Sequence, residues 1–152
     1  MFKSFMQIAI QEAKIAGGRG EVPIGAVVVS PTQEVIARSG NRTRELKDPS
    51  GHAEILVIRK ACSLLGQERL ANYDLFVTLE PCVMCAGLIS LARIRRLFYG
   101  ASDPKSGAIE QGARVFSRGQ THHCPEIYSG IAEHEASQIL HRFFIRIRKK
   151  NA

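Results

Sequence analysis

The sequence predicts an α/β protein built around a layered sheet. Short β-branched runs alternate along the chain with stretches whose apolar residues recur at helical spacing. The hydrophobic content of 45% and the charged content of 23% are ordinary for a globular protein. A chain of 152 residues can bury a sizeable core and shows no repeat or linker, so we expect a single domain over residues 1–152.

The first half of the chain is predicted to hold two helices and two strands. Apolar residues recur at helical spacing over 2–16, and glycines at positions 17, 18 and 20 are expected to end this helix. The β-branched run 24–29 predicts a strand that is buried on both faces. A second strand, a polar and basic loop, and a second helix are then expected at 34–39, 40–51 and 52–65.

The second half adds three strands and two helices. Pro81 is predicted to open a helix that runs to about residue 92. Proline has no backbone N–H, and N–H groups in the first helical turn have no partner within the helix, so proline is favoured there. The glycine-rich segment 100–119 predicts a loop with room for one helical turn. The remaining elements are strands at 75–79, 95–99 and 126–128 and a last helix at 133–149.

The N-terminal sequence and the cysteines indicate a reducing compartment. The N-terminus does not resemble a signal peptide, and no stretch reaches the roughly 18 apolar residues of a membrane span. Cys82 and Cys85 form a Cys-x-x-Cys pair, which in the cytosol is typical of metal or redox chemistry. Cys62 lies in an apolar helical stretch and is expected in the core, whereas Cys124 fits no pattern. We therefore expect a cytoplasmic protein without a membrane partner.

The charge balance favours a partner that carries phosphate. Lysine and arginine number 21 against 14 acidic residues, which gives a net charge of +7 and a pI near 9.6. Such an excess is typical of proteins that bind nucleic acid, but many basic proteins bind none.

Two segments, His52-Ala53-Glu54 and Pro81-Cys82-Val83-Met84-Cys85, carry the chemistry. His52, Cys82 and Cys85 can supply three zinc ligands, whereas a closed structural zinc site normally takes four. The missing fourth ligand suggests a water molecule, which zinc makes nucleophilic near neutral pH. The chain is thus predicted to be a hydrolytic zinc enzyme with one Zn²⁺ per subunit.

Both segments are predicted to stand where a helix begins. Cys82 and Cys85 are three residues apart, so both lie on one face of a helix start, where the helix dipole lowers thiol pKa values. His52 is expected to begin the preceding helix, so two helix starts would meet at the metal. Glu54 would move a proton from water to a ring nitrogen and then to a leaving amine. Together the two segments match the signature of zinc nucleobase deaminases.

Three other uses of the cysteine pair remain open from the residues alone. A structural zinc site would recruit His122, His123 or Cys124 as a fourth ligand. A thioredoxin-like dithiol would use the pair for redox exchange, although the usual flanking residues are missing. A non-catalytic RNA-binding zinc module would have no use for a carboxylate beside an open zinc, so Glu54 favours an enzyme.

The chain resembles the bacterial tRNA-specific adenosine deaminases. Besides the two zinc segments, the resemblance lies in Glu21–Val27, Asn41-Arg42, Thr78–Gly87, Gly100–Ala108 and Phe143-Phe144, and it covers most of residues 5–148. It implies the cytidine-deaminase-like fold, a three-layer α/β/α arrangement with a five-stranded mixed sheet, and a homodimer. It also implies hydrolytic deamination of the wobble adenosine, position 34, in the anticodon loop of an arginine tRNA, which yields inosine and ammonia.

The resemblance assigns a role to individual residues. It implies that His52, Cys82 and Cys85 bind zinc and that Glu54 shuttles the proton. Asn41 matches an asparagine that holds the flipped nucleoside, and the backbone beside Ala53 would face the base. The expected contacts with the RNA come from Arg42, Asp103 and His123.

Basic residues elsewhere form three groups. Two of them, Arg142, Arg146 and Lys150 on the last helix and Arg42, Arg44 and Lys47 beside Asn41, can be phosphate contacts or a solvated surface. The third, Arg93, Arg95 and Arg96 around a strand, can be a dimer surface or a solvated surface. One segment departs from the resemblance, because many relatives carry Gly-Ser where this chain has Ile109–Gly112.

A deaminase of free bases or nucleosides is the nearest competing function. Deaminases of free cytidine more often carry Pro-Cys-Gly-x-Cys, which Val83-Met84 does not match. The basic charge of the chain also favours a polymeric substrate.

Overall fold

The computed structural model describes residues 4–151 and confirms the α/β fold class. The five strands lie within two residues of their predicted bounds. In chain order the elements are α1 (Met6–Gly18), β1 (Gly25–Val29), β2 (Val35–Gly40), α2 (Thr43–Leu46), α3 (Ala53–Leu65), β3 (Asp74–Leu79), α4 (Val83–Leu91), β4 (Arg96–Ala101), β5 (Glu126–Tyr128) and α5 (Glu133–Lys150).

The strands form one mixed sheet in the order β2-β1-β3-β4-β5. β1 pairs antiparallel with both β2 and β3, and β3, β4 and β5 run parallel to one another. Every residue of β1 is buried, as the unbroken β-branched run predicts. The expected five-stranded mixed sheet is confirmed.

Helices cover both faces of the sheet and produce the expected three layers. On one face, α3 and α4 pack over the sheet through a core that includes Val57, Ile58 and Ile89. On the other face, α1 and α5 pack against a smaller core in which the rings of Phe76 and Phe98 stack with centroids 4.3 Å apart. The three-layer α/β/α arrangement places the N-termini of α3 and α4 side by side on one face.

The end of α1 differs from the prediction. Gly17 and Gly18 stay helical, and the chain leaves the helix through Gly20, whose φ of +85° is the left-handed conformation that glycine adopts without strain. The amide of Glu21 then bonds back to the Ala16 carbonyl, 3.0 Å away, which satisfies a free helix end. The predicted start of this helix, at residue 2, lies outside the described residues.

The predicted loop 40–51 contains a short helix, α2. It holds only four residues and ends at Lys47, whose φ of +51° is left-handed. One helical turn shows no repeating apolar pattern, so periodicity could not reveal it. The other long loop, 100–119, holds a single 3₁₀ turn at Val115–Ser117, in agreement with the prediction.

Two further expectations concern the cysteines and the membrane. Cys62 packs against the larger core but stays partly exposed, so its expected place inside the core is only half right. All four cysteines are free.

None of the helices within residues 4–151 has the length and apolar character needed to cross a bilayer.

Candidate zinc centre and substrate pocket

The structure brings the three predicted zinc ligands together. Nδ1 of His52 lies 3.6 Å from Sγ of Cys82 and 3.5 Å from Sγ of Cys85, and the three atoms all lie within 4.8 Å of one another. With Zn–N near 2.0–2.1 Å and Zn–S near 2.3 Å, a tetrahedral zinc ion separates such nitrogen and sulfur atoms by about 3.6 Å. The donor set and its spacing therefore fit zinc.

This donor group has three members among residues 4–151. Two of the three candidates for a fourth ligand are engaged elsewhere: Nε2 of His123 lies 2.7 Å from the Ile94 carbonyl oxygen, and Sγ of Cys124 lies 3.3 Å from the Phe116 carbonyl oxygen. The third, His122, lines a separate groove with Arg59 and Arg93 and is not in the donor group. A set of three protein ligands is typical of catalytic rather than structural zinc.

Helix starts hold the ligands in place. His52 is the N-cap of α3 and Cys82 is the N-cap of α4, both with extended backbone, and Cys85 lies in the first turn of α4. Within the described residues, the His52 side chain makes no capping bond to α3, and the Cys82 thiol contacts its own helix at Cys85, the third ligand, so both side chains face the same point. The partial positive charge of two helix N-termini favours the thiolates that zinc binding requires.

The three side chains shift one another's pKa values. A hydrogen bond from Cys85 and another with His52 lower the pKa of Cys82 to about 4, against the opposing effect of burial. The same Cys82 contact raises the pKa of the Cys85 thiol and that of His52. Zinc binding would require both cysteines as thiolates, so it would release any proton held on them.

Glu54 lies beside the ligands and is not one of them. Its side chain is only 4% exposed, and burial raises its pKa to about 7 despite a hydrogen bond from its own backbone amide. A carboxyl group that titrates near neutral pH can both accept and donate a proton. The role of Glu54 as the proton shuttle remains a prediction.

A pocket of about 420 Å³ opens above the three ligands and Glu54. Its walls come from the segment before β1, the end of β3, the loop after β4, and α5. The lining residues are Val22, Ile24, His52, Glu54, Leu79, Glu80, Cys82, Ser102, Asp103, Lys105, Ser106, Leu140 and Phe144.

Asn41 is buried next to this pocket with an unused acceptor. It is 5% exposed, and no group in residues 4–151 bonds to its Oδ1. The backbone amide of Asn41 donates a hydrogen bond to the carbonyl oxygen of Ile24, 2.9 Å away, and Ile24 lines the pocket. Buried polar atoms nearly always have a partner, so the free Oδ1 sets Asn41 apart from the other buried polar side chains of residues 4–151.

The other predicted substrate contacts divide between the pocket and the surface. Ala53, the first residue of α3, is fully buried. Asp103 lines the pocket, and its Oδ1 accepts the amides of Lys105 and Ser106 at 3.1 Å, which shapes a tight turn. Arg42 lies at the surface, where its guanidinium makes two hydrogen bonds to Glu45, at 2.7 and 3.1 Å.

His123 lies apart from the pocket-lining residues. Besides its ring contact with Ile94, its amide donates to Oγ of Ser90 near the end of α4, 3.1 Å away. Its predicted role at the RNA remains a prediction, as do the roles of Arg42, Asp103, Ala53 and Asn41.

Sequence reasoning missed Glu80, Leu140 and Phe144 as pocket residues. Leu140 and Phe144 are apolar residues four apart on α5, a spacing that core-facing residues share, but Phe144 is 45% exposed. Glu80 is a charged residue directly after a buried strand, and this contrast was the one available signal.

Comparison with known proteins gives first the class and then the family. Residues 2–101 match the family model of the cytidine and deoxycytidylate deaminase zinc-binding region. A tRNA-specific adenosine deaminase of Agrobacterium fabrum is 64% identical over 140 residues, which is 92% of this chain and 91% of that protein. The Bacillus subtilis tRNA-specific adenosine deaminase is 44% identical over 146 residues, 96% and 90% of the two chains.

A solved structure agrees with these relatives. It comes from a study of A-to-I editing by tRNA:A34 deaminases at the wobble position of transfer RNA. It is 64% identical, with a TM-score of 0.88 over 90% of this chain and 98% of that chain. The guanine deaminase of Nitrosomonas europaea, at 20% identity and a TM-score of 0.76 over 91% and 81% of the chains, shares the fold. The chain belongs to the tRNA-specific adenosine deaminase family, within the zinc-binding cytidine and deoxycytidylate deaminases.

The ligand assignment predicts the metal content of a variant. His52→Ala is expected to lose most of its zinc, because two thiolates without the imidazole make a poor site. Metal analysis of the purified variant gives the result directly. His134→Ala, a change on the surface of α5, is the matched control and should keep one zinc per chain. Full zinc occupancy in His52→Ala would refute the assignment.

Proposed function

We propose that the protein converts the wobble adenosine at position 34 of a tRNA to inosine and releases ammonia. The carrying observation is a donor set of three zinc ligands with a buried glutamate beside it, at the floor of a pocket. The names of the relatives support tRNA as the substrate. An arginine tRNA is our choice of substrate, on the strength of the resemblance.

Glu54 moves the protons of the reaction. A zinc ion held by His52, Cys82 and Cys85 would supply Lewis acidity that makes water nucleophilic near neutral pH. Glu54 accepts one proton from the attacking water and delivers it to a ring nitrogen of adenine. The water oxygen bonds to the ring carbon that carries the amino group. Glu54 then takes the second proton of the same water from the new hydroxyl and gives it to the amino group. The bond from the carbon to that nitrogen breaks, so adenosine and water give inosine and ammonia. The pKa of Glu54 near 7 suits both directions of transfer.

The pocket receives a single base taken out of its stack. A volume of about 420 Å³ falls in the range of small-molecule sites. The free Oδ1 of Asn41 supplies a hydrogen-bond acceptor to the nucleoside. Leu140 and Phe144 of α5 offer an apolar wall, and the partly exposed ring of Phe144 can stack on a neighbouring base.

Phosphates are proposed to follow basic residues at the pocket and along α5. Lys105 lines the pocket itself. Two separate grooves, between the end of α1 and α5, are lined by Lys14, Arg44, Arg142, Arg146 and Lys150 among others. A single-stranded loop suits such a surface, because its backbone is accessible and its bases are free to leave the stack.

We also propose that the chain is one domain and acts as a homodimer in the cytoplasm. α4 carries no charged residue, yet Val83, Met84 and Leu91 are 57%, 40% and 59% exposed. A helix that is apolar on all sides is normally covered. A second copy of this chain is the occupant that the resemblance implies. The free thiols suit the reducing cytoplasm.

Deamination of a short RNA hairpin tests the proposed function. The hairpin carries an arginine anticodon loop with A at position 34, and free adenosine, cytidine and guanine are incubated in parallel, with products identified by mass. Inosine in the hairpin alone is the expected result. Turnover of a free base or nucleoside with the hairpin untouched would overturn the choice of tRNA.

Glu54→Gln is expected to separate binding from chemistry. The variant keeps the shape of the side chain but cannot move protons, so turnover should fall by at least about 10²–10⁴-fold. Zinc content and hairpin affinity should stay near the wild-type values, as measured by metal analysis and fluorescence anisotropy. Turnover at the wild-type rate would refute the proton-shuttle role.

Leu91→Lys is expected to weaken the proposed dimer. A charge placed in the exposed apolar face of α4 would be buried without a partner in the dimer. Light scattering across a concentration series should show monomers at concentrations where the wild type is dimeric. Ile15→Lys, an equally exposed apolar position on α1 at 52%, is the control and should remain dimeric. A monomeric wild type would contradict the proposal.

A further inference from the structure

Glu80 is a buried carboxylate whose partners are backbone amides. It is 2% exposed and follows β3 directly, two residues before Cys82. Within residues 4–151 no lysine or arginine pairs with it. Four amides donate to it instead: Asp103 to Oε1 at 3.0 Å, and Ile109, Glu110 and Gln111 to Oε2 at 3.1, 2.9 and 3.0 Å.

The three consecutive amides of residues 109–111 form a small anion-binding concavity, of the kind that often holds phosphate. Here a side chain of the protein fills it. Burying a carboxylate without hydrogen-bond partners costs free energy, and the four hydrogen bonds from backbone amides offset that cost for Glu80. The bonds tie both ends of the segment 103–111 to one point at the end of β3.

The segment also closes tightly around the carboxylate. A Cβ added to Gly107 would lie 2.7 Å from Oε1 of Glu80 and 2.5 Å from the Asp103 carbonyl oxygen. The amide of Gly107 donates to that same oxygen at 2.9 Å, and the amide of Ala108 donates to the Pro81 carbonyl at 2.9 Å. Any side chain at position 107 would therefore push the segment away from Glu80.

The segment held in this way is a wall of the pocket. Asp103, Lys105 and Ser106 of the segment line it, whereas His52, Glu54 and the cysteines lie at the starts of α3 and α4. We propose that Glu80 is a positioning residue: through backbone amides it fixes the segment 103–111 so that the pocket matches a nucleotide in an RNA strand. The proposal rests on the proposed function for its substrate and on the contacts above for its mechanism.

Glu80→Gln tests this. Glutamine keeps the size of the side chain but turns an NH₂ donor toward amide donors, so the segment should loosen. Peptides covering 103–111 should exchange amide hydrogen at least about tenfold faster, and KM for the hairpin should rise by about tenfold or more. kcat should fall less than KM rises, and zinc content should stay at one per chain, because the catalytic groups lie on other elements. Glu126→Gln, the same change at an exposed glutamate of β5, is the matched control and should alter none of these.

Gly107→Ala provides an independent second variant. It leaves the carboxylate intact and pushes on it, so the same pattern of fast exchange and raised KM is expected. Both changes disturb the same set of contacts, those between Glu80 and the segment 103–111. The double variant should therefore be less impaired than the product of the two single effects. Gly107→Ala by itself keeps the proposal testable if Glu80→Gln folds poorly.

Two results would overturn the proposal. One is unchanged exchange of 103–111 in both variants; the other is fast exchange with hairpin KM and affinity as in the wild type. A wild type that neither binds nor deaminates the hairpin would instead refute the proposed function and, with it, the role in RNA recognition. Amide exchange would then still decide whether Glu80 anchors the segment.

Discussion

The site depends on the meeting of two helix N-termini on one face of the sheet. His52 and Cys82 cap α3 and α4, and the packing of these helices over β1, β3 and β4 brings the imidazole and two thiols within 4.8 Å of one another. The same two N-termini provide the partial positive charge that favours thiolates. If the helices moved apart, the ligands and Glu54 would separate together.

Buried carboxylates recur around the pocket, each supported by backbone amides. The Glu54 carboxyl accepts a hydrogen bond from its own backbone amide beside the ligands. The Glu80 carboxylate accepts hydrogen bonds from four backbone amides of the loop after β4. Glu21 is buried as well and accepts the amides of Arg44 and Glu45, at 3.2 and 2.8 Å, where α2 begins. Glu21 thus holds the segment after Asn41 as Glu80 holds the segment after β4. The cations remain outside, at the surface proposed to meet phosphate.

The sequence was most informative where chemistry and periodicity coincide. The β-branched run of β1 and the apolar spacing of the long helices predicted the elements, and the two zinc segments predicted the ligand group that the structure assembles. The pocket walls were harder to predict. α2 is a single turn without periodicity, and the contacts of Glu80 join residues 23 to 31 positions apart through backbone atoms, which carry no residue preference. Leu140 and Phe144 share the pattern of core residues, so only packing shows that they face the pocket.

The central claim is that three protein ligands hold the zinc and leave one position open. X-ray absorption spectroscopy of the zinc-loaded protein tests it most directly. We expect two sulfur ligands at about 2.3 Å from the zinc and one imidazole nitrogen. One further light atom, not from a second imidazole, is expected at about 2.0–2.1 Å from the zinc. A closed shell with a third sulfur or a second imidazole would contradict the account, since the site would then be structural and Glu54 would have no water to deprotonate.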